Sequence, residues 1–188
     1  MSNLTTRKID ISLDLATRLM HPRPTVLITC INPRNNKPNI VTLAWTTPLS
    51  HDPPLVGISV TPKNFSHDLI SASREFVVNI PTVKHVSETY FAGFESGRNV
   101  DKFAETGLTQ APAKKVKAPI IKECVAHLEC RLVDKIKTGD HVFFIGEVLA
   151  CYTDRGVFNQ VIDTMKVRTI QHLGSRTYVI TTSTSQCL

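Results

Sequence analysis

The chain has 188 residues, 41% apolar and 20% charged, which suits a folded core and argues against disorder. Its formal charge is +6 and its isoelectric point about 9.2, so local attraction to anions is expected on a mildly basic surface. No 18-residue apolar run exists, and the five cysteines (Cys30, Cys124, Cys130, Cys151, Cys187) include no CxxC pair, which argues against a membrane helix, a disulfide scaffold and a zinc site. Met1 to Lys8 lacks a signal peptide's apolar core, so a cytoplasmic protein is expected. The length fits one domain over residues 1–188.

Ile9 to Met20 begins by alternating and ends with helical spacing, so its type stays open. His21-Pro22-Arg23-Pro24 breaks it, and Arg23 is placed either to meet a negative ligand or to stay solvated. Val26 to Ile31 predicts a strand, Asn32 to Pro38 a hairpin loop, and Ile40 to Trp45 the return strand. Thr46 to Pro54 reads as a polar, Pro-rich connection, and Leu55 to Val60 as the next strand. Phe65 to Ser73 has the spacing of a helix, and Glu75 to Ile80 of a strand ended by Pro81. Asn79 is polar inside that apolar strand, so its amide needs a partner, either in the core or at a ligand.

His85 to Phe94 reads as a helix, and Val100 to Ala104 as a short one stopped by Gly107. Pro112 to Pro119 holds the one dense basic cluster, Lys114-Lys115-Val116-Lys117, in what reads as an exposed loop. Cys124 to Val133 and His141 to Tyr152 predict two strands joined by a turn over Lys135 to Asp140. Val157 to Val161 has no assignable role, and the Thr and Ser run from Thr181 to Gln186 should fray. Many short strands with few helices predict an antiparallel barrel, mainly β with peripheral helices.

The stretch from Asn39 to Ile70 carries the chemistry. It reads strand, connection, strand, turn, helix start. Lys63, Asn64 and Ser66 stand at the start of the helix, with His67 in its first turn, where free N–H groups, hydroxyls and a cation suit a phosphate. Trp45, the only tryptophan, ends the first strand beside Thr46 and Thr47. An aromatic surface near hydroxyls and a phosphate site points to a flat ligand with a phosphorylated tail.

The ordered set of Pro22-Arg23-Pro24 with Val26 to Thr29, Asn39 to Thr47, Asp52 to Val56, Glu75 to Asn79, Asp101-Lys102-Phe103, Leu128-Glu129-Cys130, and Gly139-Asp140-His141 with Gly146-Glu147-Val148 resembles the flavin reductase-like family. The C-terminal His172-Leu173-Gly174 and Tyr178 extend the resemblance. It implies a Greek-key, antiparallel split β-barrel that binds FMN and forms a homodimer with the flavin near the subunit interface. Ala44, Trp45, Thr46 and Thr47 would hold the ring and ribityl chain. Lys63, Asn64 and Ser66 would hold the phosphate, with His67, Asn79 and Lys102 as further cofactor contacts. His141 is a candidate for a place near the flavin or its reductant.

No Gly-x-Gly-x-x-Gly, Walker, Gly-x-Ser-x-Gly or His-Glu-x-x-His pattern is present. That fits a protein whose cofactor supplies the redox chemistry, and no essential acid–base residue is expected for the first step. The resemblance implies hydride transfer from NADH or NADPH to FMN, then electron transfer to an acceptor such as a partner oxygenase or redox protein. The first alternative is a flavoredoxin-type carrier with tightly held FMN. The weaker one is a nucleic-acid-binding β-barrel, which lacks basic–aromatic interleaving. Neither a nucleic-acid partner nor a membrane is expected.

Overall fold

The computed structural model describes residues 8–181. Leu13–Met20 form a 3-10 helix with no buried residue, which settles the ambiguous start of the chain. Strands β1 (Arg23–Pro24), β2 (Val26–Ile31), β3 (Pro38–Leu43), β4 (Thr46–His51) and β5 (Pro54–Val60) lead to helix α1 (Phe65–Ser73). Strand β6 (Glu75–Ile80), helices α2 (Val86–Phe94) and α3 (Lys102–Thr106), and short strands β7 (Gln110–Ala111) and β8 (Ile120–Ile121) follow. The long hairpin of β9 (Ala126–Thr138) and β10 (His141–Thr153) precedes β11 (Phe158–Asn159), β12 (Val161–Ile162), β13 (Ile170–Gly174) and β14 (Thr177–Ile180).

Seven strands form one antiparallel sheet in the order β3-β2-β6-β9-β10-β5-β4. Its two edge strands are consecutive in the chain, joined only by Ala44 and Trp45. Residues advance at most about 3.6 Å each, so so short a link holds the two edges close and the sheet must curl into a barrel. The Trp45 carbonyl accepts from the Ser59 amide at 2.9 Å, tying the link to β5. From β5 the chain crosses over β10 and β9 through α1 to reach β6, which gives the barrel its Greek-key character.

Alternate residues fill the interior: Val26, Ile28 and Cys30 from β2, Phe76 and Val78 from β6, Cys130 and Leu132 from β9, and Phe144 from β10. Leu69 and Ile70 of α1 join this core. A second apolar cluster lies outside the wall, where Leu27 and Ile40 meet Ala92, Phe103, Leu108, Ile121 and Cys124. Strand β2 is therefore buried on both faces, which explains its unbroken apolar run.

Three expectations need correction. Thr46 to Pro54 is not a loop; most of it is edge strand β4, where Pro48 removes an N–H that an edge can spare. The turn expected over Lys135 to Asp140 shrinks to Gly139-Asp140, because β9 continues as a polar, exposed ribbon to Thr138. Gly139 takes the left-handed conformation there, with φ +65°. Cys124 precedes β9 instead of lying in it. Val157 to Val161 falls in the small β11–β12 ribbon. The fraying expected beyond Thr181, like Cys187, lies outside the described residues.

The basic stretch is a loop, but a pinned one. Glu129, fully buried on β9, accepts from the Lys114 and Lys115 amides at 2.8 and 2.5 Å and from the Tyr152 hydroxyl at 2.8 Å. Glu75 accepts from the Lys117 and Ala118 amides. Among the described residues no helix is long and apolar enough to cross a membrane. No group of three His, Cys, Asp or Glu residues there could hold a metal.

Candidate functional site

Strand β5 ends at Val60, and the turn from Thr61 to Asn64 delivers the chain into α1. Asn64 takes the extended N-cap conformation but makes no side-chain cap bond, so no side chain satisfies the first-turn N–H groups. A cavity of about 90 Å³ opens here, lined by Asn39, Lys63, Asn64, Ser66, Lys102 and the residues from Gly93 to Gly97. Buried Ser66 accepts a hydrogen bond from the Asn39 amide at 2.7 Å. The other side of that amide lies against Gly97, where any added side chain would overlap it.

Lys102 opens α3 and is only 5% exposed. Its Nζ donates to the carbonyls of Ile40 at 2.8 Å and Ala92 at 2.6 Å. No carboxylate among the described residues reaches it as an ion pair. Burial pushes its pKa down to about 8, with Cys30 and the Glu95 carboxylate opposing that shift. A buried ammonium with two carbonyl acceptors and no counter-ion suits an incoming anion.

A second part of the site is the tip of the β9–β10 hairpin. The Trp45 indole lies against the His141 ring, centroids 4.8 Å apart. His141 in turn pairs with Asp140 at 2.7 Å. That bond, with the nearby imidazole charge and a smaller contribution from Lys63, holds the Asp140 carboxyl below its usual range. The tip thus connects the Trp45 wall to the Lys63 corner. Trp45, Thr46 and Thr47 line a shallow depression with Arg23 and Phe143, and Arg23 Nε donates to the Ala44 carbonyl at 3.1 Å. Ala44 itself borders a larger cleft that meets the first cavity at Gly93 and Phe94.

Lys63, Asn64, Ser66 and Lys102 therefore converge on one cavity, and Trp45, Thr46 and Thr47 line a separate depression. Two expected contacts do not join them. Asn79 is fully buried between strands, so it is a core amide and not a cofactor contact. Its Nδ2 donates to the Leu27 carbonyl and the Thr29 hydroxyl, while its Oδ1 accepts from the Ile121 amide at 3.0 Å and meets His127 at 2.9 Å. No hydrogen-bonding capacity remains for a ligand. His67 turns its ring onto Phe144 and its Nδ1 onto Asp68, away from the cavity lining.

Residues 17–184 match the family of the flavin reductase like domain. The chain belongs to that family. It is 34% identical over 178 residues to the uncharacterised protein YddH of Escherichia coli, covering 92% of this chain and 94% of that one. The crystal structure of flavoredoxin from Methanosarcina acetivorans superimposes with a TM-score of 0.86 at 26% identity, covering 97% of this chain and 95% of that one. The reductase component of a 4-nitrophenol 4-monooxygenase/4-nitrocatechol 2-monooxygenase from Rhodococcus opacus is 29% identical over 115 residues, 61% of this chain and 58% of that one. The fold is the split barrel of these flavin reductase-like proteins.

Within this flavin reductase-like chain, sequence reasoning missed Asn39, Glu95 and Gly97 in the cavity lining. Asn39 carried a signal, since a polar residue opens an apolar strand. Gly97 carried none, because its contact with Asn39 joins residues 58 positions apart. Glu95 places a carboxylate in a cation-rich cavity and had no sequence signal at all. The cleft beside Ala44 draws on α2 and the β13–β14 turn, about 80 residues apart in sequence, and no local pattern could have joined them.

Proposed function

We propose that this protein is an FMN-dependent oxidoreductase that takes hydride from NADH or NADPH and delivers electrons to an acceptor. The observation that carries the reading is the cavity at the start of α1. There Lys63 and buried Lys102 converge with Ser66, Asn64 and uncapped helix N–H groups. Such a set fits one phosphate group, and the cleft that Ala44 borders, which meets this cavity at Gly93 and Phe94, leaves room for a ring, so the residues present fit FMN. Bound FMN would supply the acceptance of hydride and the release of electrons.

The chain's own residues bind, orient and shield. Lys63, Asn64 and Ser66 hold the phosphate, and Lys102 adds charge from beneath. Ala44 to Thr47 hold the ring and ribityl chain through backbone and side-chain groups. Asn39, fixed between Ser66 and Gly97, keeps the Ser66 hydroxyl oriented. A homodimer is part of the proposal; exposed Leu13, Leu19 and Met20 on the first 3-10 helix support an apolar contact with a second copy. An oxygenase or redox-protein acceptor is supported by the likeness to the Rhodococcus reductase component.

The test is a visible absorption spectrum of the purified protein, repeated after FMN and then, without oxygen, after NADH and NADPH. Flavin bands that either nucleotide bleaches are the expected result. A protein that takes up no FMN would refute the reading. A second reading, a flavoredoxin-type carrier, is favoured by the likeness to the Methanosarcina flavoredoxin. It predicts bound flavin that both nucleotides leave oxidised.

A further inference from the structure

The cavity at the start of α1 is built for an anion, yet it holds an acid. Glu95 is the only Asp or Glu among its lining residues, which also include Lys63 and Lys102. It follows α2 directly, and its amide donates to the Phe91 carbonyl at 3.0 Å to close the helix. The last turn of α2 carries no basic residue, so Glu95 sets a negative charge at the negative end of the helix dipole. A helix C-terminus stabilises cations and disfavours a carboxylate, so Glu95 is not placed there for the stability of α2.

Among the described residues no cation pairs with that carboxylate. Arg98, three residues on, gives its guanidinium to Asp68 at 2.5 Å and to the face of Phe65, 4.7 Å from the ring centroid. Lys102 directs its Nζ to the carbonyls of Ile40 and Ala92. Glu95 still acts on Lys102 through space. Burial lowers the Lys102 pKa, and Cys30 and the Glu95 carboxylate oppose that shift. The carboxylate is therefore within electrostatic reach of the charge that would attract a phosphate.

We propose that Glu95 is a specificity-determining residue, an opposing charge that weakens the cavity's hold on any phosphate. The inference rests on the reading of this cavity as a phosphate seat. With two lysines, a buried serine and uncapped helix N–H groups alone, the cavity would retain inorganic phosphate and phosphorylated small molecules of every kind. Repulsion from Glu95 lowers the affinity of all of them. Only a ligand that also fills the cleft beside Ala44, which meets the cavity at Gly93 and Phe94, then stays bound. A dianion about 7 Å from a carboxylate loses roughly five- to tenfold in affinity even at the dielectric constant of water. A diester with one charge loses only about two- to threefold, so the residue acts most strongly on phosphate monoesters and on free phosphate.

The test is calorimetric titration of the full-length protein and of Glu95→Gln with inorganic phosphate, FMN and riboflavin, at pH 7 and low ionic strength. Glutamine keeps the shape and removes the charge, and it relieves the helix end instead of straining it. Phosphate and FMN should each bind the variant roughly five- to tenfold more tightly than they bind the wild type. Riboflavin, which has no phosphate, should gain nothing. Added salt should shrink the difference, because screening shortens the reach of the carboxylate. Phosphate that binds Glu95→Gln no more tightly than wild type would overturn the proposal. So would a gain for riboflavin as large as that for FMN, which would place the effect on the ring. A protein that takes up FMN but whose phosphate affinity ignores the substitution loses this inference and keeps the oxidoreductase reading. One that takes up no FMN, yet binds phosphate more tightly as Glu95→Gln, loses the oxidoreductase reading and keeps this one.

Discussion

Lys102→Met tests the site most sharply, because its two roles make different predictions. The ammonium is 5% exposed, bonded to two carbonyls and lacks a carboxylate partner. If it serves an anion, its removal costs one charge-assisted contact, about 1.5–3 kcal/mol, or roughly a tenfold to 150-fold loss of FMN affinity. The unmutated protein should also lose affinity as pH rises, since Lys102 carries a pKa lowered to about 8 by burial. At pH 7 about nine-tenths of the free protein is charged at this position, and at pH 9 about one-tenth. The sign follows: protonated Lys102 attracts the phosphate and neutral Lys102 does not. The phosphate is already fully ionised over that range, so FMN should bind about tenfold more weakly at pH 9 than at pH 7. The assay is fluorescence quenching of FMN at fixed ionic strength from pH 6.5 to 9.5, on the wild-type protein and on Lys102→Met. The variant should bind weakly and with a flat profile up to pH 9. Wild-type affinity that stays constant from pH 7 to 9, or a folded variant that binds FMN within twofold of wild type, would refute the reasoning and leave Lys102 as a link between β3 and α2.

Lys63→Ala should weaken FMN about tenfold or more by the same charge-assisted contact, read in the same titration at pH 7. Gly97→Ala should push the Asn39 amide off Ser66, because a Cβ there falls 1.9 Å from Asn39 Oδ1, so FMN affinity drops several-fold in the same titration. Asn79→Ala should act the opposite way. It strands the buried Ile121 amide and should cost on the order of 3 kcal/mol in urea denaturation, with FMN affinity per folded molecule unchanged.

Much of the barrel was legible locally. Strands Val26–Ile31 and Glu75–Ile80 and helix Phe65–Ser73 have the bounds that their hydrophobic spacing and flanking breakers predict. The misread segments share one physical cause. Thr46 to His51 and Lys135 to Thr138 are polar, exposed strands whose pairing comes from a distant partner and not from their own apolar content. Pro48 reinforced the error, because a proline that would break a central strand is harmless on an edge.

For the site, the chain order alone placed a cation and hydroxyls at a helix start, since that depends on a few consecutive residues around Lys63. The amino-acid pattern also determined that a barrel would form and which family's motifs it would carry. Only the tertiary structure decided which polar groups face a ligand. Asn79 and Lys102 both read in sequence as candidate cofactor contacts. One finds every hydrogen bond it can make between packed strands, and the other keeps a charge unneutralised beside a cavity. Whether a buried polar group is satisfied depends on atoms as far as 62 residues away, and that accounting closes only when the chain has folded.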